Sequence, residues 1–470
     1  MNRKGVLIFF LAILSFAEVK AQDTLRTLNS EEMLDLVRRF HPVAKKTAIE
    51  IEKTRAAVTA ARGAFDPVLN SYLSKKTFNG ENYYNYSSPE IRIPTWFGIE
   101  VYSGVESLSG NRLDPSQTRG ESTYLGVNIP LAKNLLIDKR RAVLQQARII
   151  NTMAKVEQKV VINGLLMDAA SAYWNWVKAW QIYKLAENMV TVNEERLTLV
   201  KRGYDMGERP AIDTVEALTQ LQSYKFLQNE QWLEFQNAGL ELSAFLWDDK
   251  DRPYNLPVTV IPQDGWENET SIINANLSLP DLLDSADQNH PELNLYDYKF
   301  DVLTIEKRLK FQELLPKIDL SYNHLAKGNN AFSSINTALL FENNFQYGLK
   351  VAIPLRFSQG RGEYREARLK IEETRLDESQ TRQKIQLKIK SYYNELMALR
   401  SQTSLQSNNY QNYQQLVKAE ETRFLNGESS LFLINTRENK ALDALEKLVN
   451  VKVDFYKTIY ALQWSAGLLN

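Results

Sequence analysis

The feature that leaves this chain fewest options is a seam of large apolar residues spaced for helices far longer than a compact core uses. Ile162, Leu166, Ala169, Tyr173, Trp176, Trp180 and Tyr183 follow one another at steps of four, three, four, three, four and three. Near the other end, Ile385, Ile389, Tyr392, Leu396 and Leu399 keep the same rhythm. This is heptad spacing, the pattern of helices packed side by side as coiled coils. Much of the remaining helical surface is Gln, Asn, Lys and Glu. Runs of about 70 residues at about 1.5 Å each make rods of about 100 Å. The spacing predicts two long helical hairpins, over 133–247 with a tip near 204–211 and over 357–469 with a tip near 424–431. Glycine breaks the helix at both tips, in Tyr204-Asp205-Met206-Gly207-Glu208-Arg209-Pro210 and in Phe424-Leu425-Asn426-Gly427-Glu428.

What precedes each hairpin also occurs twice. In the first copy (22–247) a helix over 30–40, with Ser30 as its cap, ends at His41-Pro42. A second helix runs over 42–65 and Pro67 stops it. In the second copy (280–470) helices are predicted over 280–290 and 291–315, divided by His290-Pro291 and stopped by Pro316. Pro42 to Pro67 and Pro291 to Pro316 are both 25 residues apart. The strand before each hairpin ends in Ile-Pro-Leu, at Ile129-Pro130-Leu131 and Ile353-Pro354-Leu355, and both tips read aromatic-x-x-Gly-Glu. This is an internal duplication. An irregular connector, 248–279, joins the copies and carries one short strand candidate at Val258-Thr259-Val260-Ile261.

Between helices and hairpin the period changes from 3.6 to 2. Copy one has a strand region over 67–131, with alternation in Val68-Leu69-Asn70-Ser71-Tyr72-Leu73 and in Tyr124-Leu125-Gly126-Val127-Asn128-Ile129. Copy two has strands over 317–325 and 345–354, in a region about 25 residues shorter. Such alternation with aromatic flanks fits membrane barrel strands and also a soluble hairpin. Trp96, Tyr83, Tyr84, Tyr86 and Tyr102 fit an interfacial belt or an extension beyond it, and 96–107 fits a further strand or a loop.

The first 21 residues have the form of a secretory signal peptide: Arg3 and Lys4, an apolar run from Val6 to Ala17, and Val19-Lys20-Ala21. An exported chain without a long apolar helix can enter a membrane only as strands. With 57 basic and 57 acidic residues there is no charge excess to attract nucleic acid. There are no cysteines, and of the three histidines His41 and His290 read as helix-boundary residues. No Ser-His-Asp set, metal-ligand cluster or phosphate-cradling loop stands out, so neither an enzyme nor a cofactor is expected.

Two copies of helix, strand hairpin and long helical hairpin behind a signal peptide resemble the TolC family of outer-membrane efflux proteins. The resemblance covers essentially the whole mature chain and is most specific at the two tips and the two Ile-Pro-Leu junctions. It implies a mainly α fold with a β-barrel part: a homotrimer sharing one transmembrane barrel in outer-membrane lipid, with a hollow helical barrel in the periplasm. Four strands per chain would then give twelve around the trimer. It also implies docking of the tips onto a periplasmic membrane-fusion adaptor, and through it an inner-membrane transporter. Carried onto this chain, the docking residues are Tyr204, Gly207, Glu208, Arg209, Pro210 and Ala211, with Phe424, Gly427, Glu428, Ser429, Ser430 and Leu431. Family members place carboxylates six and nine residues beyond the second tip's glycine. Here those positions are Leu433 and Thr436, whereas the first tip has Asp213 and Glu216 at that spacing, so a pore constriction would fall to the first copy or to Glu208 and Glu428. The implied function is a passive exit duct of a tripartite efflux system. The alternatives are the duct of a type I protein secretion system, or a periplasmic coiled-coil scaffold with no membrane barrel.

Overall fold

A computed structural model describes residues 26–114, 116–265, 278–328 and 344–469. The expected leader and residues 266–277 of the connector lie outside these. The chain opens on β1 (Arg26–Leu28) and α1 (Ser30–Phe40). Ser30 is the first helical residue, and the cap is Asn29, whose Oδ1 accepts from the Glu32 amide at 2.7 Å. Both side chains can cap, and the sequence places them in succession, hence the one-residue shift. His41 caps α2 (Pro42–Arg62), its Nδ1 accepting from the Val43 amide at 3.2 Å, and proline fills the first turn, where its missing N–H costs nothing. A single 3-10 turn over 63–65 closes α2, so the helix expected to 65 ends three residues sooner.

Four strands follow: β2 (Val68–Phe78), β3 (Glu81–Pro94), β4 (Glu100–Ser109) and β5 (Gly120–Pro130). The first hairpin is α3 (Lys139–Asp205) and α4 (Ala211–Ser243). Its start falls six residues beyond 133 because Asp138 caps α3, accepting from the Arg141 amide at 2.8 Å, after Asn134 has turned the chain at φ 70°. A three-residue strand, β6 (Val260–Pro262), pairs parallel with β1. The second copy then runs α5 (Leu279–Asn289), α6 (Pro291–Phe311), β7 (Lys317–Lys327), β8 (Phe345–Ala352), α7 (Ser358–Leu425) and α8 (Leu431–Ser465). His290 caps α6 as His41 caps α2, accepting from the Glu292 amide at 3.2 Å.

The heptad residues lie along the buried seam. Leu166, Ala169, Tyr173 and Trp176 are at most 3% exposed, as is Ile389 in copy two; Ile385 and Leu396 are buried beside it. The largest core cluster sits where both copies meet: Trp174 of α3 stacks on Tyr456 of α8 at 4.5 Å and 11°, and Trp176 faces Phe235 of α4 at 6.1 Å. The helical copies are thus sewn together at mid-length and extend from there as rods. Among the described residues no helix is long and apolar enough to cross a membrane.

The expectation of four strands per chain is corrected by the structure. Among the described residues there are six, in one antiparallel sheet of order β2-β3-β4-β5-β7-β8. Residues 96–107 hold most of β4, so copy one contributes four strands and copy two contributes two. The sequence hid this because β3 and β4 are rich in Ser, Tyr, Asn and Glu and alternate only weakly.

Candidate functional site

Two regions carry the chemistry that the sequence singled out: the hairpin tips and the two faces of the sheet. Both tips are the same backbone object. In the first, the Gly207 amide donates to the Tyr204 carbonyl at 2.9 Å and the Glu208 amide to the Gly203 carbonyl at 2.9 Å. In the second, the Gly427 amide donates to Phe424 at 3.0 Å and Glu428 to Arg423 at 2.9 Å. Each is a Schellman closure, in which the two amides just past the helix satisfy its last carbonyls. The closure needs a left-handed residue, and Gly207 and Gly427 supply φ 77° and 78°. Aromatic-x-x-Gly-Glu therefore spells positions of one helix stop, and Pro210 and Ser430 then lead into the return helices at Ala211 and Leu431.

The side chains of the two tips are used differently. Arg209 of the first tip lies over the Phe424 ring of the second, 3.7 Å from its centre, donates to the Phe424 carbonyl at 3.4 Å and pairs with Asp213 at 3.5 Å. Phe424 and Leu431 are buried, at 9% and 1% exposure, while Tyr204 is 47% exposed. Ser429 donates to the buried Glu420 at 2.5 Å. Glu208 and Glu428 point to solvent. The pair nominated for a constriction is engaged within the chain: Asp213 by Arg209, and Glu216 by Asn435, which donates at 3.2 Å. Thr436 donates to the Phe432 carbonyl at 2.7 Å, and Leu433 is partly exposed.

Sequence reasoning missed what holds the tips together from behind. Arg196 of α3 makes a paired contact with both carboxylate oxygens of Glu438 of α8, with Glu421 of α7 at 3.4 Å; the Arg196 and Glu438 side chains are 11% and 6% exposed. The two Glu438 hydrogen bonds and its charge hold the Arg196 guanidinium above its ordinary pKa against the cost of burial. Burial in the same layer pushes the Tyr224 phenol up to about 12, and its hydroxyl donates to Asn439 at 2.9 Å. A charged residue at a seam position within a polar helix is the only signal that could have exposed this pair.

The sheet has one polar and one apolar face, set by its register. Paired residues share a face, so the row Val68, Arg92, Tyr102, Gly126, Asn323, Gln346 runs unbroken across all six strands. On that face Arg92 pairs with Glu90 at 2.9 Å and Glu100 at 3.1 Å and lies over the Tyr102 ring, whose hydroxyl donates to Asn323 at 2.6 Å. Tyr124 donates to Glu90 at 2.9 Å and Tyr86 to Glu106 at 3.1 Å. Rings cover glycines here: a Cβ on Gly126 would sit 2.3 Å from the Tyr102 ring, and one on Gly104 would sit 2.5 Å from the Tyr124 hydroxyl. Tyr86 and Tyr102, candidates for an interfacial belt, thus belong to the polar face, and Trp96 stacks on Phe65 at 4.3 Å beside the helices. The reverse face bears Leu69, Leu73, Ile91, Ile93, Leu125, Leu349 and Val351, each at least 40% exposed, with Tyr322, Phe345 and Tyr347. In water such a patch is a liability, since each of these side chains would gain about 1.5–3 kcal/mol from full burial in an apolar medium.

Comparison with known proteins gives this arrangement a context. Residues 282–467 match the family model described as outer membrane efflux protein. Sequence comparison with curated proteins returns no match. Among solved structures, the outer-membrane channel OprN superposes with a TM-score of 0.62 at 13% identity, over 93% of this chain and 89% of that one. The CmeC outer membrane channel of Campylobacter jejuni gives 0.60 at 15%, over 93% and 85%. The outer membrane protein VceC of Vibrio cholerae gives 0.61 at 12%, over 93% and 96%. At these identities the likeness is one of fold.

Proposed function

We propose, from the match of residues 282–467 to the outer membrane efflux protein model and from the fold shared with outer-membrane channels, that this chain belongs to that family, sits in the outer membrane and forms the exit duct of a tripartite efflux system. Three copies close one barrel from their sheets, the long helices extend it as a hollow tube through the periplasm, and cargo delivered by an inner-membrane pump leaves passively. The observation that carries this reading is the two-faced sheet. An exposed apolar face opposite a face of carboxylates, guanidinium and tyrosine hydroxyls suits lipid outside and water inside. The open edges β2 and β8 cannot stay unpaired in hydrocarbon, so a single copy is incomplete there. Helices α3 and α7, of 67 and 68 residues, supply the length.

The tips are the docking points for an adaptor, through Gly207 to Ala211 and Gly427 to Leu431. Tyr204, Met206, Leu425 and Phe432 are exposed around them and offer the apolar contact an adaptor helix needs. Asp213 and Glu216 stand at the narrow end as the constriction. Their present partners, Arg209 and Asn435, would have to release them for the pair to face the pore. Photocrosslinkers at Met206 and Leu425 test the docking: an adaptor captured from cell envelopes at both positions is the expected result. Capture at neither, with the protein fractionating as soluble, would overturn the duct and leave a periplasmic scaffold.

A further inference from the structure

The shared barrel proposed above sets a question of size. We propose that its wall has eighteen strands, six from each of three copies, with the β3–β4 hairpin a full part of it. The inference rests on the shared-barrel reading and concerns how many strands that barrel holds.

Four features of the sheet point to six. First, β3 and β4 are interior: the order β2-β3-β4-β5-β7-β8 pairs each of them on both sides, so neither can leave the wall without opening it. Second, the two faces continue through them. Ile91, Ile93, Val101 and Val105 fall on the apolar face, and Glu90, Arg92, Glu100, Tyr102 and Glu106 on the polar one. Third, β5 is tied to the hairpin by side chains as well as backbone, with Tyr124 seated over Gly104 and donating to Glu90. A hairpin lying outside the lumen would have no use for a face built this way.

The fourth feature is metrical. Strands β2 and β8 run in opposite directions, as the edges of neighbouring copies must to close an antiparallel barrel. The row that begins at Val68, the helix end of β2, reaches β8 at Gln346, six residues from its helix end at Ala352. With about 3.3 Å per residue and five strand spacings of about 4.8 Å, levelling these two ends tilts the strands by about 40°, inside the range for closed membrane barrels. The six-stranded sheet as it stands therefore has the slope that closure demands. At that tilt and spacing, eighteen strands give a barrel about 36 Å across between backbones, against about 24 Å for twelve.

The absence of cysteine from the chain makes a clean test. Leu349→Cys on β8 is combined in turn with Ser71→Cys or Leu73→Cys on β2, the two outward positions that flank the closing register, and with Ser103→Cys on β4. Outer membranes are oxidised with copper phenanthroline and run without reductant, with the single variants as controls. Covalent dimers and trimers from a β2 pair, and none from Ser103→Cys with Leu349→Cys, are expected. Cross-linking through β4 alone would overturn the proposal and leave a twelve-stranded trimer. A trimer in which no pair cross-links would overturn the edge contact itself. A monomer would remove the shared barrel and this inference with it. Because paired substitutions could hinder assembly, the unaltered particle in detergent supplies a second reading: a barrel cross-section near 36 Å by electron microscopy supports eighteen strands, and one near 24 Å contradicts it.

Discussion

The two copies of the repeat share a backbone and differ in what they do with it. Their tips close with the same pair of hydrogen bonds around Gly207 and Gly427, and their second helices begin with the same histidine cap and proline. Yet Phe424 is buried under Arg209 while Tyr204, its counterpart, stands in solvent. Copy one sends four strands into the sheet and copy two sends two. Backbone stops repeat because helix geometry admits few ways to end a long rod. Side chains and insertions diverge because, in a packed duplicate, one tip must lie against the other and an extra strand hairpin in one copy lengthens the sheet without disturbing its partner.

That comparison can be broken in order of expected effect. The mid-length join between copies is the strongest point: Trp174→Ala removes a side chain 1% exposed and stacked on Tyr456 and should cost about 3–5 kcal/mol, read as a lowered midpoint of thermal unfolding by circular dichroism. An unchanged midpoint would mean that the copies are held together elsewhere. Arg196→Met leaves Glu438 buried and unpaired and should cost about 3 kcal/mol, whereas Arg196→Met with Glu438→Leu should recover most of it; failure of the double change to recover would show that the pair is not the unit.

The tips sharpen the contrast. Phe424→Ala should cost about 2–3 kcal/mol through lost burial and the lost cation–π contact, and Tyr204→Ala less than about 0.5 kcal/mol. Equal losses would erase the asymmetry. Gly207→Ala and Gly427→Ala should cost the same as each other, about 1 kcal/mol, because both are left-handed and a Cβ at either meets nothing within 4 Å. The smallest effect is the pH response of the histidine caps. Burial lowers the pKa of His41 and of His290 from the ordinary 6.5, and both accept a hydrogen bond at Nδ1, which the neutral ring provides. The unfolded chain takes up these protons first. Their contribution to stability is therefore complete above pH 6.5 and is lost as pH falls through the lowered folded values. Melting across pH 7.5 to 5.5 should show that decline, and replacing both histidines with Asn, which caps without titrating, should flatten it.

The helical part of this fold could be read from the chain because a heptad seam is periodic over many turns and tolerates few alternatives. Leu166, Ala169, Tyr173 and Trp176 lie on the buried line that the spacing drew. The sheet was harder. The alternation in β3 and β4 is carried by Ser, Tyr and Glu, whose facing depends on the register of strands more than 200 residues away, such as Tyr102 against Asn323. Composition alone cannot tell which face of a sheet a tyrosine takes, and the register puts Tyr86 and Tyr102 on the polar one. At the tips the glycines were legible because a positive φ has few occupants. The clasp of Arg209 on Phe424 was not, since nothing local joins residues 215 positions apart.

The account turns on three incomplete sheets becoming one closed wall, and the mass of the detergent-purified particle from the outer-membrane fraction tests it most directly. A particle of three chains, resistant to dissociation until heated, is the predicted result. A single chain, stable with both sheet edges open, would contradict the shared barrel and leave the helical hairpins without the wall they are built to extend.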